Sequence, residues 1–439
     1  MAVSRRPLNH GIEVTAARAA YEPEPLAVPF GFKGRYVSEL RQVAVRLETS
    51  AGGRGLGLGT QSVLWSDEAV FAAHSPQAGE ELMYSLTRFA LSAVEGREFD
   101  NPLELLDGVL EETFAFGRQA TGRPELRKTF ALNSLVALDN AAWLAWAREN
   151  GFDSFERMVP APFGDALSAR HNKIASVPVV GYGLPVAEVA RLVDEGFFIL
   201  KIKLGAPGPP EEMLEADLSR LEEIHRAVGR TETAHTAGGL ILYYLDCNGR
   251  YESLETLLRL VDYLERTNIA GQVLLVEEPF GEGMEVDLGA VPLPVAADES
   301  AHTAADTVVL IEMGYRAIAL KPVAKTLSET LRIARVAFRA GIPCFCADLT
   351  VNPVLAEWNR NVAARLAPLP GLELGLMEAN GHQLYGGWDR MSGYHPAAGK
   401  EWTVPRDGLY YLNDEFYATG GGIFEESAHY AALFERDGG

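Results

Sequence analysis

From residue 177 onward the chain alternates short apolar stretches with longer amphipathic ones, about eight times in ~220 residues, and this rhythm limits the fold more than any other feature. The apolar stretches at 177–183, 197–203, 240–246, 273–278, 295–298, 317–322, 342–347 and 372–377 are apolar on both faces and end in polar or charged residues. Strands of that kind are buried from both sides, as parallel strands under helices are. The segments between them carry helical spacing. Leu214, Leu218, Leu221 and Val228 form one stripe, ended by Gly229; Leu254, Leu257, Leu258, Val261 and Leu264 form a second. Leu327, Leu331, Ala334 and Phe338 form a third, stopped by Gly341 and Pro343. Strand and helix repeated so often predict an α/β fold, a closed (β/α)8 TIM-like barrel over residues 175–395. An open doubly wound sheet would not readily use so many strands.

Residues 1–160 read differently. A strand is expected at 42–48 and a Gly-rich turn at 51–59, then helices at 80–94, 103–116 and 131–149, the last closed by Gly151. Strands first and helices afterwards predict a separate α+β capping domain, and residues 396–439 leave the barrel rhythm to pack back on it. Gly55, Gly57 and Gly59 have neither the βαβ context nor the acidic partner of a dinucleotide site, so they read as a hairpin turn.

Several classes of function are set aside. The formal charge of −21 opposes nucleic-acid binding, which needs clustered Lys and Arg. No apolar run approaches the ~20 residues that span a bilayer. The first fourteen residues hold two arginines but no apolar stretch, so a cytoplasmic location is expected rather than secretion. Three cysteines suit a reducing compartment, and Cys344 and Cys346 read as residues on one face of a strand. There is no His-Glu-x-x-His zinc motif and no Gly-x-Ser-x-Gly nucleophile elbow. His302 reads as structural or exposed, and Trp143 and Trp146 as packing.

In such a barrel chemistry gathers where the strands end. The second strand ends in Lys201-Ile-Lys203, the third in Asp246-Cys-Asn248, and the fourth in Glu277-Glu278-Pro279. The fifth ends in Asp298-Glu299-Ser300 and the sixth in Lys321-Pro322. Any one of these is ordinarily a solvated strand end or a turn. Together, on consecutive strands, they are not: buried strand ends rarely hold charge unless it is paired or metal-bound. Three neighbouring carboxylates suit a hard dication, and a lysine on each side is expected to have a lowered pKa and to serve as an acid/base pair.

The segments FILKIKLG, YYLDCNG, VEEP, AADES and ALKP resemble the strand-end motifs of the enolase superfamily, in particular its muconate-lactonizing subgroup (mandelate racemase/muconate lactonizing enzyme-like proteins). The resemblance spans nearly the whole chain. It implies that Asp246, Glu277 and Asp298 ligate Mg2+, with Mn2+ an alternative. Lys203 and Lys321 would act on opposite faces of the substrate, with Lys201 an auxiliary lysine near the substrate carboxylate. Asn248, Glu278, Glu299 and Glu378 would contact substrate or support the ligands. The implied reaction removes a proton alpha to a carboxylate through an enediolate. That is expected in a racemase or epimerase of an amino-acid-type or N-substituted carboxylate. A cycloisomerase or lyase, including an acid-sugar dehydratase, is the alternative, and a non-catalytic ligand-binding barrel is one of another class. The mandelate-racemase His after the seventh strand is missing from Cys344-Phe-Cys346-Ala-Asp348. The Asp-x-Asp of dipeptide epimerases is replaced by Glu378-Ala-Asn380. Specificity would come from cap loops 21–32 and 60–65, with Tyr21, Phe30, Gln61 and Trp65 as walls. The partner implied is a small carboxylate, and a homo-oligomer, dimer or octamer, is expected.

Overall fold

A computed structural model describes residues 11–436. Residues 1–10, on which the reading of the start of the chain mostly rests, lie outside that range.

The cap is built on an antiparallel sheet of β1 (Ile12–Phe32), β2 (Arg35–Thr49), β3 (Arg54–Gln61) and β4 (Glu98–Phe99), in the order β3-β2-β1-β4. Helices Pro76–Val94, Pro102–Thr121 and Lys128–Glu149 follow, the first two started by the capping side chains of Ser75 and Asn101. Two expectations are corrected here. The expected Gly-rich turn is confined to residues 50–53, which join β2 to β3; Gly55, Gly57 and Gly59 lie within β3, paired with β2. They are glycines because helix Lys128–Glu149 lies directly on them. A Cβ at Gly57 would meet the Ala137 carbonyl oxygen at 2.1 Å, and one at Gly55 the Ala141 oxygen at 2.0 Å. The helix answers with alanine at 137, 141 and 145, one per turn. Residues 21–32 are likewise no loop but the second half of β1, joined to β2 by a two-residue turn at Lys33 and Gly34.

The barrel staves are β5 (Lys173–Val177), β6 (Val179–Val180), β7 (Ile199–Lys203), β8 (Leu242–Asp246), β9 (Val273–Glu277), β10 (Val295–Ala297), β11 (Ala317–Leu320), β12 (Cys344–Cys346) and β13 (Gly375–Glu378). Each pairs in parallel with its neighbours. β5 pairs with β13 and β6 pairs with β7, yet only Pro178 separates β5 from β6. Residues 173–180 are therefore one stave interrupted by a residue without an amide hydrogen, and the sheet returns on itself as a TIM-like barrel. The first stave starts at 173, four residues before the expected 177, because the polar Asn172-Lys173 start hides its apolar Ile174 and Ala175. Among the described residues no helix is long and apolar enough to cross a membrane.

After the barrel, β14 (Leu409–Tyr411) adds antiparallel to β5. Residues beyond it reach the cap: Arg54 binds Glu426, and His429 pairs with Glu22.

The cap is clamped to the barrel through helix Lys128–Glu149. The Asp139 carboxylate accepts the Ser328 amide at 3.1 Å and its hydroxyl, while Trp143 Nε1 donates to Ser328 Oγ at 3.0 Å. Burial raises the Asp139 carboxyl to about 6, against the pull of the Ser328 hydrogen bonds. A carboxyl whose folded pKa lies above its unfolded value stabilises the fold while protonated. That contribution is whole below about pH 4 and lost as pH rises through about 6, a swing of roughly 2–3 kcal/mol. Wild type should therefore lose stability relative to Asp139→Asn between pH 4 and 7 in denaturant titrations. A difference that stays flat with pH would remove the assigned shift.

Candidate active site

The stave tips bring together residues far apart in sequence. In the sheet register Lys203 stands level with Asp246, and Asp246 with Glu277. Lys203 Nζ lies 2.6 Å from Asp246 Oδ2 and 2.9 Å from Asn248 Oδ1. Lys201, two residues back on the same side of β7, reaches Asp246 at 2.9 Å, Glu277 at 3.2 Å and Glu378 at 2.9 Å. On the other flank Lys321 Nζ donates to Asp298 Oδ2 and stands 4.6 Å over the Trp65 ring. Lys203 and Lys321 line one pocket together with Lys201, Asp298, Glu299 and Glu378, the two lysines coming from staves on either side of β8, β9 and β10.

Every one of these charges is buried, so pairing decides its state. Burial pulls Lys201 down, but Asp246, Glu277 and Glu378 outweigh it and hold the ammonium well above its ordinary value. Lys321 is raised too: burial lowers it, and Asp298 and Glu299 more than compensate. The lowered values expected for the flanking lysines presumed a dication beside them; facing Asp298 and Glu299 alone, Lys321 is held above its ordinary value instead. Burial would raise Asp246, yet Lys201 and Lys203 bring it down to about 2. Asp298 is held low against burial by Lys321 and Lys325. Burial raises Glu277, and the neighbouring Asp298 charge adds to that against Lys201.

Glu277, Asp298 and Glu299 each offer an oxygen within 4.8 Å of the others. Three carboxylates are the donor set a hard dication takes. Glu299 Oε2 is buried without a hydrogen-bond donor, and Asp298 Oδ1 has the Lys325 ammonium at 3.3 Å but no hydrogen bond. Orphaned carboxylate oxygens at that depth fit a metal ion. This grouping shares Glu277 and Asp298 with the set expected from sequence and has Glu299 where Asp246 was expected; Asp246 is held by the Lys201 and Lys203 ammonium groups. Glu278 does not face the pocket: its carboxylate accepts the amides of Asp298 at 2.7 Å and Ser300 at 3.0 Å, holding the tip of β10 in shape.

Of the four expected wall residues, Phe30 and Trp65 line the pocket. Gln61 is buried against Thr87, and Tyr21 lies outside under Arg41. His302 pairs with Glu282, away from the pocket lining. Several participants were not singled out from the sequence. Lys325, one helical turn after Lys321, donates to the Asp298 carbonyl. Its spacing in Lys321-Pro-Val-Ala-Lys325 was the available signal. Asp348 accepts the Asn380 amide at 3.0 Å and donates its own amide to Glu378 at 2.9 Å. Burial and the Glu378 charge push its carboxyl up to about 6. Phe32 closes the segment 21–32 expected to cover the pocket but was not singled out within it.

Residues 185–409 match the family model described as Enolase C-terminal domain-like. The L-Ala-D/L-Glu epimerase of Thermotoga maritima is 25% identical over 340 residues, covering 75% of this chain and 82% of that protein. Muconate cycloisomerase 1 of Rhodococcus opacus is 26% identical over 346 residues, 75% of this chain and 78% of that one. Among solved structures, the dipeptide epimerase of Cytophaga hutchinsonii complexed with Mg and the dipeptide D-Ala-L-Val superimposes with a TM-score of 0.62 at 18% identity, over 85% of this chain and 88% of that one. A family model covering more than half of the chain, on a barrel whose tips carry Lys, Asp, Glu, Asp and Lys in order, places the protein in the enolase superfamily, in its mandelate racemase/muconate lactonizing enzyme-like branch.

Proposed function

We propose that the chain is an isomerase-type enzyme: a Mg2+-dependent racemase or epimerase of an amino-acid-type or N-substituted carboxylate. What supports this reading is that Lys203 and Lys321 both line one acidic pocket and come from staves β7 and β11, which stand on either side of β8, β9 and β10. Lys203 Nζ takes the proton alpha to the substrate carboxylate on one face, and Lys321 Nζ gives one back on the other. A dication held there would supply fixed positive charge to that carboxylate. Lys201, already coordinated by three acids, stays charged and adds to that field. Phe30, Phe32 and Trp65 close the top of the pocket with apolar surface and keep water from the reacting carbon. Glu277, Asp298 and Glu299 would hold the cation, with Asp246, the ligand expected from the sequence, level with Glu277 on the neighbouring stave.

The same groups permit cycloisomerisation or elimination, so the product decides between readings. The Thermotoga and Rhodococcus relatives, an epimerase and a cycloisomerase, support both. A silent binding barrel is disfavoured by the cost of burying so many charges without chemistry to perform. Incubation of dipeptides, N-acyl amino acids and aldonic acids in D2O with Mg2+ should place one deuterium at the alpha carbon of some member, read as a one-dalton mass shift. Inversion accompanying exchange marks the racemase; a lactone or alkene marks the alternative. No exchange in any carboxylate class would remove the proposal.

A further inference from the structure

The tip of the cap hairpin ends on the acidic centre through a lysine outside the strand-end motifs. Lys33 and Gly34 form the two-residue turn that closes β1 on β2, with Phe32 opposite Arg35. Their φ angles are 50° and 68°, the left-handed pair that Asn-Gly serves best. Lysine at such a position is strained. Its side chain is nevertheless folded inward and almost wholly buried, which adds the cost of desolvating an ammonium. Two contacts offset these costs: Lys33 Nζ donates to the Trp65 carbonyl at 2.9 Å and lies 3.5 Å from Glu299 Oε1. The same oxygen accepts Asn248 Nδ2 at 3.2 Å, while Oε2 has no hydrogen-bond partner. Lys33 does not line the pocket, so it acts through Glu299 and not on a substrate.

We propose that Lys33 is a positioning residue that ties the cap hairpin to Glu299, and that its ammonium competes with a divalent cation for that carboxylate, so cap docking and cation binding oppose each other. This rests on the reading that the acidic cluster holds a dication. A doubly charged ion among Glu277, Asp298 and Glu299 repels an ammonium already within 3.5 Å of one of them, with little water between to screen it. Coupling of this kind is reciprocal: what the lysine takes from the cation's affinity, the cation takes from the lysine's hold on the hairpin.

Lys33→Asn tests this without straining the fold, since it removes the ammonium and installs the Asn-Gly turn that the backbone prefers; Lys33→Arg keeps the charge. Calorimetry of the full chain should show Lys33→Asn binding Mg2+ about tenfold more tightly than wild type and Lys33→Arg close to it. Hydrogen exchange of residues 26–37 should speed up severalfold when wild type takes up Mg2+ and stop responding in Lys33→Asn. Unchanged or weaker Mg2+ binding by Lys33→Asn, or a hairpin that responds to Mg2+ equally in both proteins, overturns the proposal. A wild type that binds no Mg2+, or a Glu277→Gln variant that binds it as well as wild type, instead overturns the cation reading underneath it.

Discussion

Lys203→Ala and Lys321→Ala are each expected to lower net inversion at the alpha carbon by at least about a thousandfold, because each removes the sole group proposed to move a proton on its face. The variants should differ in a telling way. Each should still exchange the alpha proton of the one enantiomer that the remaining lysine faces, so the two proteins should label opposite hands of the same substrate in D2O. The fold should survive both changes. Asp246 keeps Lys201 when Lys203 is gone, and Asp298 keeps Lys325 when Lys321 is gone, so neither truncation leaves a buried carboxylate without a cation. Chiral chromatography combined with mass spectrometry reads both quantities. Undiminished inversion in either variant takes that lysine out of the reaction.

Removing a cation ligand should have an effect of similar size, seen without any substrate. Glu277→Gln and Asp298→Asn should each weaken Mg2+ binding by more than about a hundredfold, since a neutral amide replaces a carboxylate in a small all-oxygen site. Asp246→Asn should cost at least about tenfold. If calorimetry shows Asp246→Asn binding normally while Glu299→Gln binds poorly, the third ligand is Glu299, the residue that the structure already groups with the other two. These measurements separate the ligand set from the proton chemistry, which the lysine variants probe alone.

Much of the site was readable because it sits at strand ends. A stave packed on both faces is apolar until it reaches the barrel mouth, and the charged residues that close the run mark that mouth. Lys203, Asp246, Glu277, Asp298 and Lys321 all announced themselves in that way. Where a stave carried polar residues at its start, as at Asn172-Lys173, or a proline in its middle, as at Pro178, its bounds were misread. The cap was harder. β1 runs through Glu22-Pro-Glu24-Pro25, a composition that suggests a loop, yet it pairs along β2 because its partner is a regular, buried strand. The glycines of β3 have the same root: their reason lies in a helix some eighty residues later, pressed against them too closely for a side chain.

The sequence by itself determined the barrel, the order of charged tips around it and therefore the family, since periodicity records which faces are buried and strand ends record where apolar packing gives way to charge. Only the tertiary structure decided how those charges pair: that Asp246 is held by two lysines, that Glu299 joins Glu277 and Asp298, and that Lys33 arrives from the cap. Pairing depends on distances of a few ångströms between residues separated by tens to hundreds of positions, in a medium where an unpaired charge is costly. Closing the sheet at Pro178 and laying the cap hairpin over its mouth set those distances.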